Sequence, residues 1–129
     1  MSDQTNHDYL VISRGQWDAE ASPETVQKAI DDFYGWLDGH IAAGTMHGGS
    51  RLKAEGATVS RKTVVTDGPF GETKELIGGY WFVVAPSLEQ AARLLADSPT
   101  VRLGLFYEVR PLDPEPATAT TIATENLRA

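Results

Sequence analysis

The chain of 129 residues contains no cysteine, which excludes disulfide bridges, thiolate metal sites and cysteine nucleophiles. It also lacks any apolar run close to the ~20 residues that a membrane-spanning helix requires. The first ten residues have neither the basic start nor the apolar stretch of a signal peptide. We therefore expect a soluble, cytoplasmic protein that does not associate with membranes.

Basic residues are scarce as well. Eleven Lys and Arg stand against 18 Asp and Glu, which gives a formal net charge of −7. An acidic chain repels a phosphate backbone, and no cluster of basic residues larger than the pair Arg61-Lys62 offsets this repulsion. These features predict no direct binding to nucleic acid.

The motifs of metal and nucleotide sites are missing too. The three histidines, His7, His40 and His47, do not have the spacing of a metal site, and no cysteine could complete one. The sequence contains no GxGxxG, no P-loop and no GxSxG motif. We predict neither a metal nor a cofactor.

The composition is that of a globular protein, with 41% hydrophobic and 22% charged residues, and the apolar residues recur at regular spacings. A helix is predicted from the N-cap Ser22 to the glycine Gly44, because apolar residues recur every three or four positions between them. Ser87 and Gln90 form the capping box of a second helix. The predicted strands are residues 9–13, 45–52, 57–66, 76–85 and 101–110.

This order of elements predicts an α+β fold, a ferredoxin-like βαββαβ sandwich with one added strand. Its antiparallel sheet would carry both helices on one face. Residues 76–85 are apolar on both faces, so the uncovered face should meet a second copy and form a homodimer. We divide the chain into a flexible N-terminus (1–8), one domain (9–112), and a tail (113–129) that is mobile or docks on a partner subunit.

Residues 67–75, DGPFGETKE, resemble the signature of the DGPF proteins of the YCII-related family. The likeness extends to Gly-Gly-Tyr at residues 78–80, Gly-Gly at 48–49 and Glu-Val-Arg-Pro at 108–111. It implies a ferredoxin-like fold that dimerises into an α+β barrel, and an enzymatic role for an Asp and a His. It also implies a link to sigma factors in transcription initiation. The family's Asp corresponds to Asp67, whereas the predicted first strand contains no histidine.

Asp67 has two interpretations. It could be a general acid or base, or it could cap the turn that Asp-Gly-Pro typically forms. Phe70 favours a functional loop, because a turn does not need a large apolar residue. Lys74 could bind an anionic group, or it could simply pair with a neighbouring glutamate.

Alternation along the strand at residues 45–52 predicts that His47 and Arg51 share one face, next to two glycines, in a pocket for an oxyanion or carboxylate. His40 lies near the end of the first helix, where the helix dipole explains it. Trp81, with Trp36 and Tyr80, could line a ligand pocket or could belong to the core or to a dimer interface.

Two functions follow from these residues. In the first, the protein is a cofactor-independent enzyme that acts on a small organic anion, with Asp67 and His47 transferring protons. Arg51, Lys74, Phe70 and Trp81 would then bind the ligand. In the second, the protein is a non-catalytic module that senses a ligand or contacts another protein, linked to sigma-factor-dependent transcription.

Overall fold

A four-stranded antiparallel sheet forms the centre of the structure, and two α-helices pack on one of its faces. The computed structural model describes residues 5–59, 61, 64–66 and 77–118. Its elements are β1 (His7–Gly15), α1 (Pro23–Ala43), β2 (Met46–Arg51), β3 (Ala57–Val59), β4 (Val64–Thr66), β5 (Ile77–Ala85), α2 (Leu88–Leu95), a 3-10 helix (Val101–Leu103) and β6 (Leu105–Pro111).

The strands of the main sheet lie in the order β2-β5-β1-β6, and each neighbouring pair is antiparallel. Helix α1 joins β1 to β2 across β5, and α2 joins β5 to β6 across β1. These two interleaved crossovers are the ferredoxin-like arrangement, which confirms the predicted fold class. Within the described residues the sheet has free edges at β2 and β6, so one chain does not close a barrel.

Both helices begin where the sequence predicts, and α1 also ends there. Ser22 and Ser87 each accept a backbone N–H from three residues later, at 3.1 and 3.2 Å. Such caps each contribute about 1 kcal/mol to helix stability. Gly44 ends α1 with φ of 82°, a conformation that glycine adopts without strain. In the part of the chain described above, no helix combines the length and apolar character that crossing a bilayer requires.

The single strand predicted at residues 57–66 is wrong. Instead β3 and β4 pair with each other, with Ala57 opposite Thr66 and Val59 opposite Val64. The chain therefore reverses between residues 59 and 64. Residues 60–63, Ser-Arg-Lys-Thr, include none of the Gly, Pro, Asn or Asp that normally mark a turn, so the sequence pattern gives no sign of a break in the strand. The resulting hairpin is a separate two-stranded sheet.

The first and last strands also have different bounds from those predicted. β1 runs over His7–Gly15, because it pairs with β5 from His7 to Arg14 and with β6 from Tyr9 to Gly15. β6 begins only at Leu105, and a 3-10 turn replaces the first part of the predicted strand. Gly104 separates the two with φ of 112°, and a Cβ there would lie 2.5 Å from the carbonyl oxygen of Gln16. This close approach requires glycine and ends the turn.

The helix-covered face of the sheet contains the core. Val11, Met46 and Val83, one from each of three strands, are fully buried. Around them lie further buried sheet residues and the inner faces of both helices: Tyr9, Trp81, Ala85, Ala91 and Leu95, with Phe33, Trp36, Leu37 and Leu94 partly buried. One contiguous core therefore joins the helices to the sheet.

The opposite face of the sheet, which we call the open face, is formed by Leu10, Ile12, Tyr80, Phe82 and Val84. All five side chains are half-buried, and neither helix packs on them. In the register of β1 and β5, Leu10 lies opposite Phe82 and Ile12 opposite Tyr80. The open face is thus a continuous apolar surface in the middle of the sheet.

Candidate functional site

Three of the predicted site residues, Asp67, Phe70 and Lys74, lie outside the residues that the structure describes. The described chain resumes at Ile77, the first residue of β5. The start of β5 is therefore the point of the sheet to which residues 67–76 connect. The side chains around this point are the described part of the candidate site.

Two arginines flank the start of β5. Arg14 of β1 lies opposite Ile77, and Arg51 of β2 lies opposite Gly79. Because β1 and β2 are the two neighbours of β5, the arginines approach it from both sides. In a chain whose net charge is −7, each arginine places a positive charge beside this strand end, where it can attract an anion.

Arg14 belongs to a charge cluster with Glu108 and Arg110. Its Nη1 donates to Oε1 of Glu108, while Nη1 of Arg110 donates to Oε2 at 3.1 Å. The hydrogen bond from Arg110, followed by that from Arg14, holds the pKa of the Glu108 carboxyl below its usual value. Glu108 therefore remains ionised at neutral pH and keeps Arg14 in a defined position. Glu108 and Arg110, the Glu and Arg of the Glu-Val-Arg-Pro motif, thus lie on the same face of β6 and contact each other.

A β-bulge in β2 decides where His47 and Arg51 lie. His47 is opposite Phe82 and Ser50 is opposite Tyr80, so β2 advances three residues while β5 advances two. The extra residue reverses the alternation of side chains beyond the bulge. His47 consequently lies on the open face with Phe82, and Arg51 lies on the helix-covered face. The prediction that His47 and Arg51 share a face is wrong.

The bulge depends on glycine. A Cβ placed on Gly49 would lie 2.0 Å from the carbonyl oxygen of Tyr80, which is closer than any side chain could approach. Gly49 thus allows the backbone of β2 to pass close to β5 at the extra residue. The two glycines were a sequence signal for a bulge or a close backbone approach, but they could not show that the bulge would separate the two site residues.

His47 itself is exposed and lies five residues along β5 from its first residue, about 17 Å at the rise of an extended strand. The structure therefore brings Arg14 and Arg51 to the start of β5. His47 of β2 instead lies opposite Phe82, near the middle of β5. Sequence reasoning missed Arg14. The only signal for it was its position just after the predicted strand at residues 9–13.

Trp81 lies in the core, with 4% of its surface exposed. Its ring packs edge-to-face on Phe33 at a centroid distance of 5.3 Å and on Tyr107 at 5.0 Å. These contacts favour the core alternative for Trp81 over the ligand-pocket alternative. Its Nε1 is buried and has no hydrogen-bond partner among the described residues.

A buried cluster of hydroxyl groups lies next to Trp81. The Tyr107 hydroxyl is 2.5 Å from Oγ of Ser98 and 2.6 Å from Oγ1 of Thr100, and these two oxygens are 3.2 Å apart. Burial raises the pKa of the Tyr107 phenol, and the two hydrogen bonds only partly oppose this shift. The cluster ties the turn after α2 to β6. No pattern in the sequence connects these three hydroxyls.

Comparison with known proteins supports the family resemblance at residues 67–75. Residues 8–113 match the YCII-related domain, which is most of the chain. The chain is also 30% identical over 97 residues to an uncharacterised protein of Rhizobium meliloti strain 1021, covering 70% of this chain and 78% of that protein. On these grounds, the chain belongs to the YCII-related family.

Proposed function

We propose that the protein is a homodimer that binds a small organic anion and acts on it by acid/base chemistry without a cofactor. The observation that supports the proposal is the position of Arg14 and Arg51, on either side of the strand end to which residues 67–76 connect. A guanidinium group can donate two parallel hydrogen bonds to a carboxylate or phosphate. The two side chains lie on opposite faces of the sheet, so each would bind an anionic group on its own face of this strand end.

Asp67 is the proposed acid/base group of this site, because it lies on the segment that joins the sheet there. A carboxylate within hydrogen-bond distance of the reacting atom can transfer a proton in the transition state. Lys74 would add a second cation, and Phe70 would contact the apolar part of the ligand. His47 remains a second proton-transfer candidate, on the open face and without Arg51 beside it.

The open face supports the homodimer. Five half-buried apolar side chains from β1 and β5 form one surface that neither helix covers. An apolar sheet face of this kind is stabilised when another apolar surface removes it from water. A second copy of the same sheet offers a matching face through two-fold symmetry.

Binding can be tested by measuring thermal unfolding in the presence of a library of small carboxylates and phosphates. A ligand at 100 times its dissociation constant stabilises the folded state by about 2.7 kcal/mol. Arg51→Met should lose the hits bound on its face of the sheet, because Arg51 has no ion-pair partner among the described residues. Arg102→Met is the matched control, since Arg102 is an exposed arginine on the 3-10 helix. Identical hits for both variants would contradict the anion site.

Catalysis can be tested by incubating each hit with the protein and following the ligand by NMR. We expect the wild type to convert one of the ligands, and Asp67→Asn to bind it without converting it. Binding without conversion in the wild type would instead favour the ligand-sensing alternative.

The oligomeric state can be tested by light scattering coupled to size-exclusion chromatography. We expect twice the chain mass of 14.0 kDa. Phe82→Glu places a charge at the centre of the open face and should give monomers. Leu88→Glu is the control, because Leu88 is 45% exposed on α2, and it should leave the dimer intact. A wild-type monomer at high concentration would contradict the proposed dimer.

A further inference from the structure

Two exposed apolar side chains flank Arg14 on the neighbouring strands. In the register of the sheet, Arg14 lies opposite Ile77 of β5 on one side and opposite Phe106 of β6 on the other. Ile77 is 40% exposed and Phe106 is 51% exposed, whereas the side chains of the open face are half-buried. Directly opposite residues have Cβ atoms about 5 Å apart, so both apolar side chains border the arginine. This end of the sheet therefore offers apolar surface on both sides of a cation.

The arginine and the phenylalanine lie on the same side of the sheet as the open face. Tyr107 and Val109 of β6 pack against the core on the helix-covered face. Strand residues alternate between faces, so Phe106 and Glu108 lie on the other side. Arg14 donates a hydrogen bond to Glu108 and is therefore on that side as well.

A bulge at the start of β5 places Ile77 on this side too. Ser13 lies opposite Gly79 and Arg14 lies opposite Ile77, so β5 advances two residues while β1 advances one. The extra residue is Gly78. Opposite residues of an antiparallel pair share a face, and Ile77 therefore lies with Arg14. We call the surface formed by Ile77, Arg14 and Phe106 the sheet-end site.

The positive charge of the sheet-end site lies nearer the middle of the sheet than its apolar side chains do. The guanidinium group of Arg14 donates to Glu108, which is two residues further into β6 than Phe106. Ile77 and Phe106 lie at the outer end. A ligand with an anionic group attached to an apolar ring matches this order, because its charge would lie inward and its ring outward.

Gly15 helps to position the ring of Phe106. A Cβ on Gly15 would lie 2.9 Å from Cδ1 of Phe106, so the ring occupies space that a side chain there would need. Gly15 has φ of 94°, which glycine adopts without strain. One part of the Phe106 ring thus packs on backbone, while half of the residue remains exposed to a ligand.

The charges around the site suit a ligand with a single negative charge. Arg14 and Arg110 both donate hydrogen bonds to the Glu108 carboxylate. Two guanidinium groups and one carboxylate leave one net positive charge. A carboxylate is the planar anion that a guanidinium group recognises through parallel hydrogen bonds.

We propose that the sheet-end site binds an aromatic carboxylate, with the carboxylate at Arg14 and the ring between Ile77 and Phe106. This inference rests on the proposed function, because it names the ligand class of the anion site on the face of Arg14. Aromatic rings pair favourably in offset or edge-to-face arrangements, which favours an aromatic ring next to Phe106. On the other face, Arg51 has no apolar neighbour on β5, since Gly79 lies opposite it. Phe106 and Ile77 are therefore the specificity-determining residues.

The ligand class can be tested by titrating the full chain, labelled with ¹⁵N, with benzoate, acetate and benzyl alcohol. Benzoate should bind about tenfold or more tightly than acetate, because its ring leaves water on binding. Benzyl alcohol keeps the ring and removes the charge, so it should bind more weakly than benzoate. The largest benzoate-induced shifts should be those of the backbone amides of Arg14, Ile77 and Phe106.

Phe106→Ser should weaken benzoate about fivefold, the effect of losing one aromatic contact, and should leave the affinity for acetate unchanged. Leu52→Ser is the matched control. Leu52 is an apolar residue of similar exposure, 43%, and it follows Arg51 in the chain. Its replacement should leave the affinity for benzoate unchanged. Thermal unfolding and light scattering of both variants should show the wild-type fold and mass.

Equal affinities for benzoate and acetate would overturn this inference and leave anion binding in place. So would an unchanged benzoate affinity in Phe106→Ser, or benzoate shifts confined to Arg51 and Leu52. A monomeric Phe106→Ser beside a dimeric wild type would assign Phe106 to the dimer interface instead. The absence of binding by both anions would overturn the proposed function, and this inference with it.

Discussion

Arg14 of β1 donates a hydrogen bond to Glu108 of β6 on the open face of the sheet. The second carboxylate oxygen of Glu108 accepts from Arg110 at 3.1 Å. One carboxylate thus holds two guanidinium groups, and one of these groups lies beside the start of β5. Glu108 consequently sets the position of a cation in the proposed anion site.

Stability should fall in acid because of Glu108. Hydrogen bonds from Arg110 and Arg14 lower its pKa in the folded state, so the unfolded chain takes up this proton at a higher pH. The resulting stabilisation is present above the usual glutamate pKa of 4.5 and is lost as pH falls through the folded value. Thermal unfolding from neutral pH down to about pH 3 measures it.

Glu108→Gln should show a shallower loss of Tm over this acidic range than the wild type. Glu20→Gln is the control, because Glu20 is exposed in the loop before α1. Equal acid slopes in the wild type and Glu108→Gln would contradict the role assigned to the two arginines.

Tyr107→Phe should destabilise the protein by about 1–2 kcal/mol, because the buried hydroxyls of Ser98 and Thr100 each lose a partner. Chemical denaturation measures the change. Tyr34→Phe is the matched control, since Tyr34 is 44% exposed on α1, and it should change stability by less than about 0.5 kcal/mol.

The same tyrosine should limit stability in alkali. Burial raises the pKa of Tyr107 in the folded state, so the unfolded chain loses this proton first. The contribution of Tyr107 is complete below the usual tyrosine pKa of 10.0 and is lost as pH rises through the folded value. Unfolding measured above pH 10.0 should therefore show a smaller alkaline decline in Tyr107→Phe than in the wild type.

Gly49→Ala should destabilise the protein by about 1–3 kcal/mol, because the new Cβ would lie 2.0 Å from backbone that cannot move independently of β5. Amide signals of His47 and Arg51 should shift as the bulge rearranges. Gly39→Ala is the control. Among the described residues, no atom outside the adjoining backbone of α1 lies within 4 Å of its Cβ position, and alanine should stabilise α1 by about 1 kcal/mol. Similar stabilities of the two variants would show that the bulge does not require glycine.

Gly44→Ala should cost about 1–2 kcal/mol, because φ of 82° is strained for a residue with a Cβ. The turn it disturbs also positions Thr45 against His40, to which its hydroxyl is hydrogen-bonded, so the imidazole shifts of His40 should change as well. Gly35→Ala, inside α1 with free space around its Cβ position, is expected to stabilise the protein. Denaturation curves and His40 shifts together measure both effects.

The helices were predictable because the signals for them are local. Ser22, Ser87 and Gly44 act on backbone groups within a few residues, so their roles can be inferred before the fold is known. The apolar character of β5 on both faces likewise predicted its central position. The reversal between β3 and β4 was not predictable, since its four residues carry no turn signal and only the pairing of Ala57 with Thr66 reveals it.

The candidate site was only partly predictable for a related reason. Arg51 was expected near the functional segment, but alternation placed it on the wrong face because a bulge adds a residue that periodicity cannot count. Arg14, Glu108 and Arg110 are distant in the sequence, and the antiparallel register of β1 and β6 brings them together.

By itself, the sequence determined the helix caps, the central strand and the YCII-related signature, because each depends on neighbouring residues or a short motif. The tertiary structure decided which face each side chain occupies and which charges meet. These properties depend on strand register, a bulge at Gly49 and hydrogen bonds between residues distant in the chain. Such contacts form only when the strands pair, and for that reason they decide the chemistry of the site.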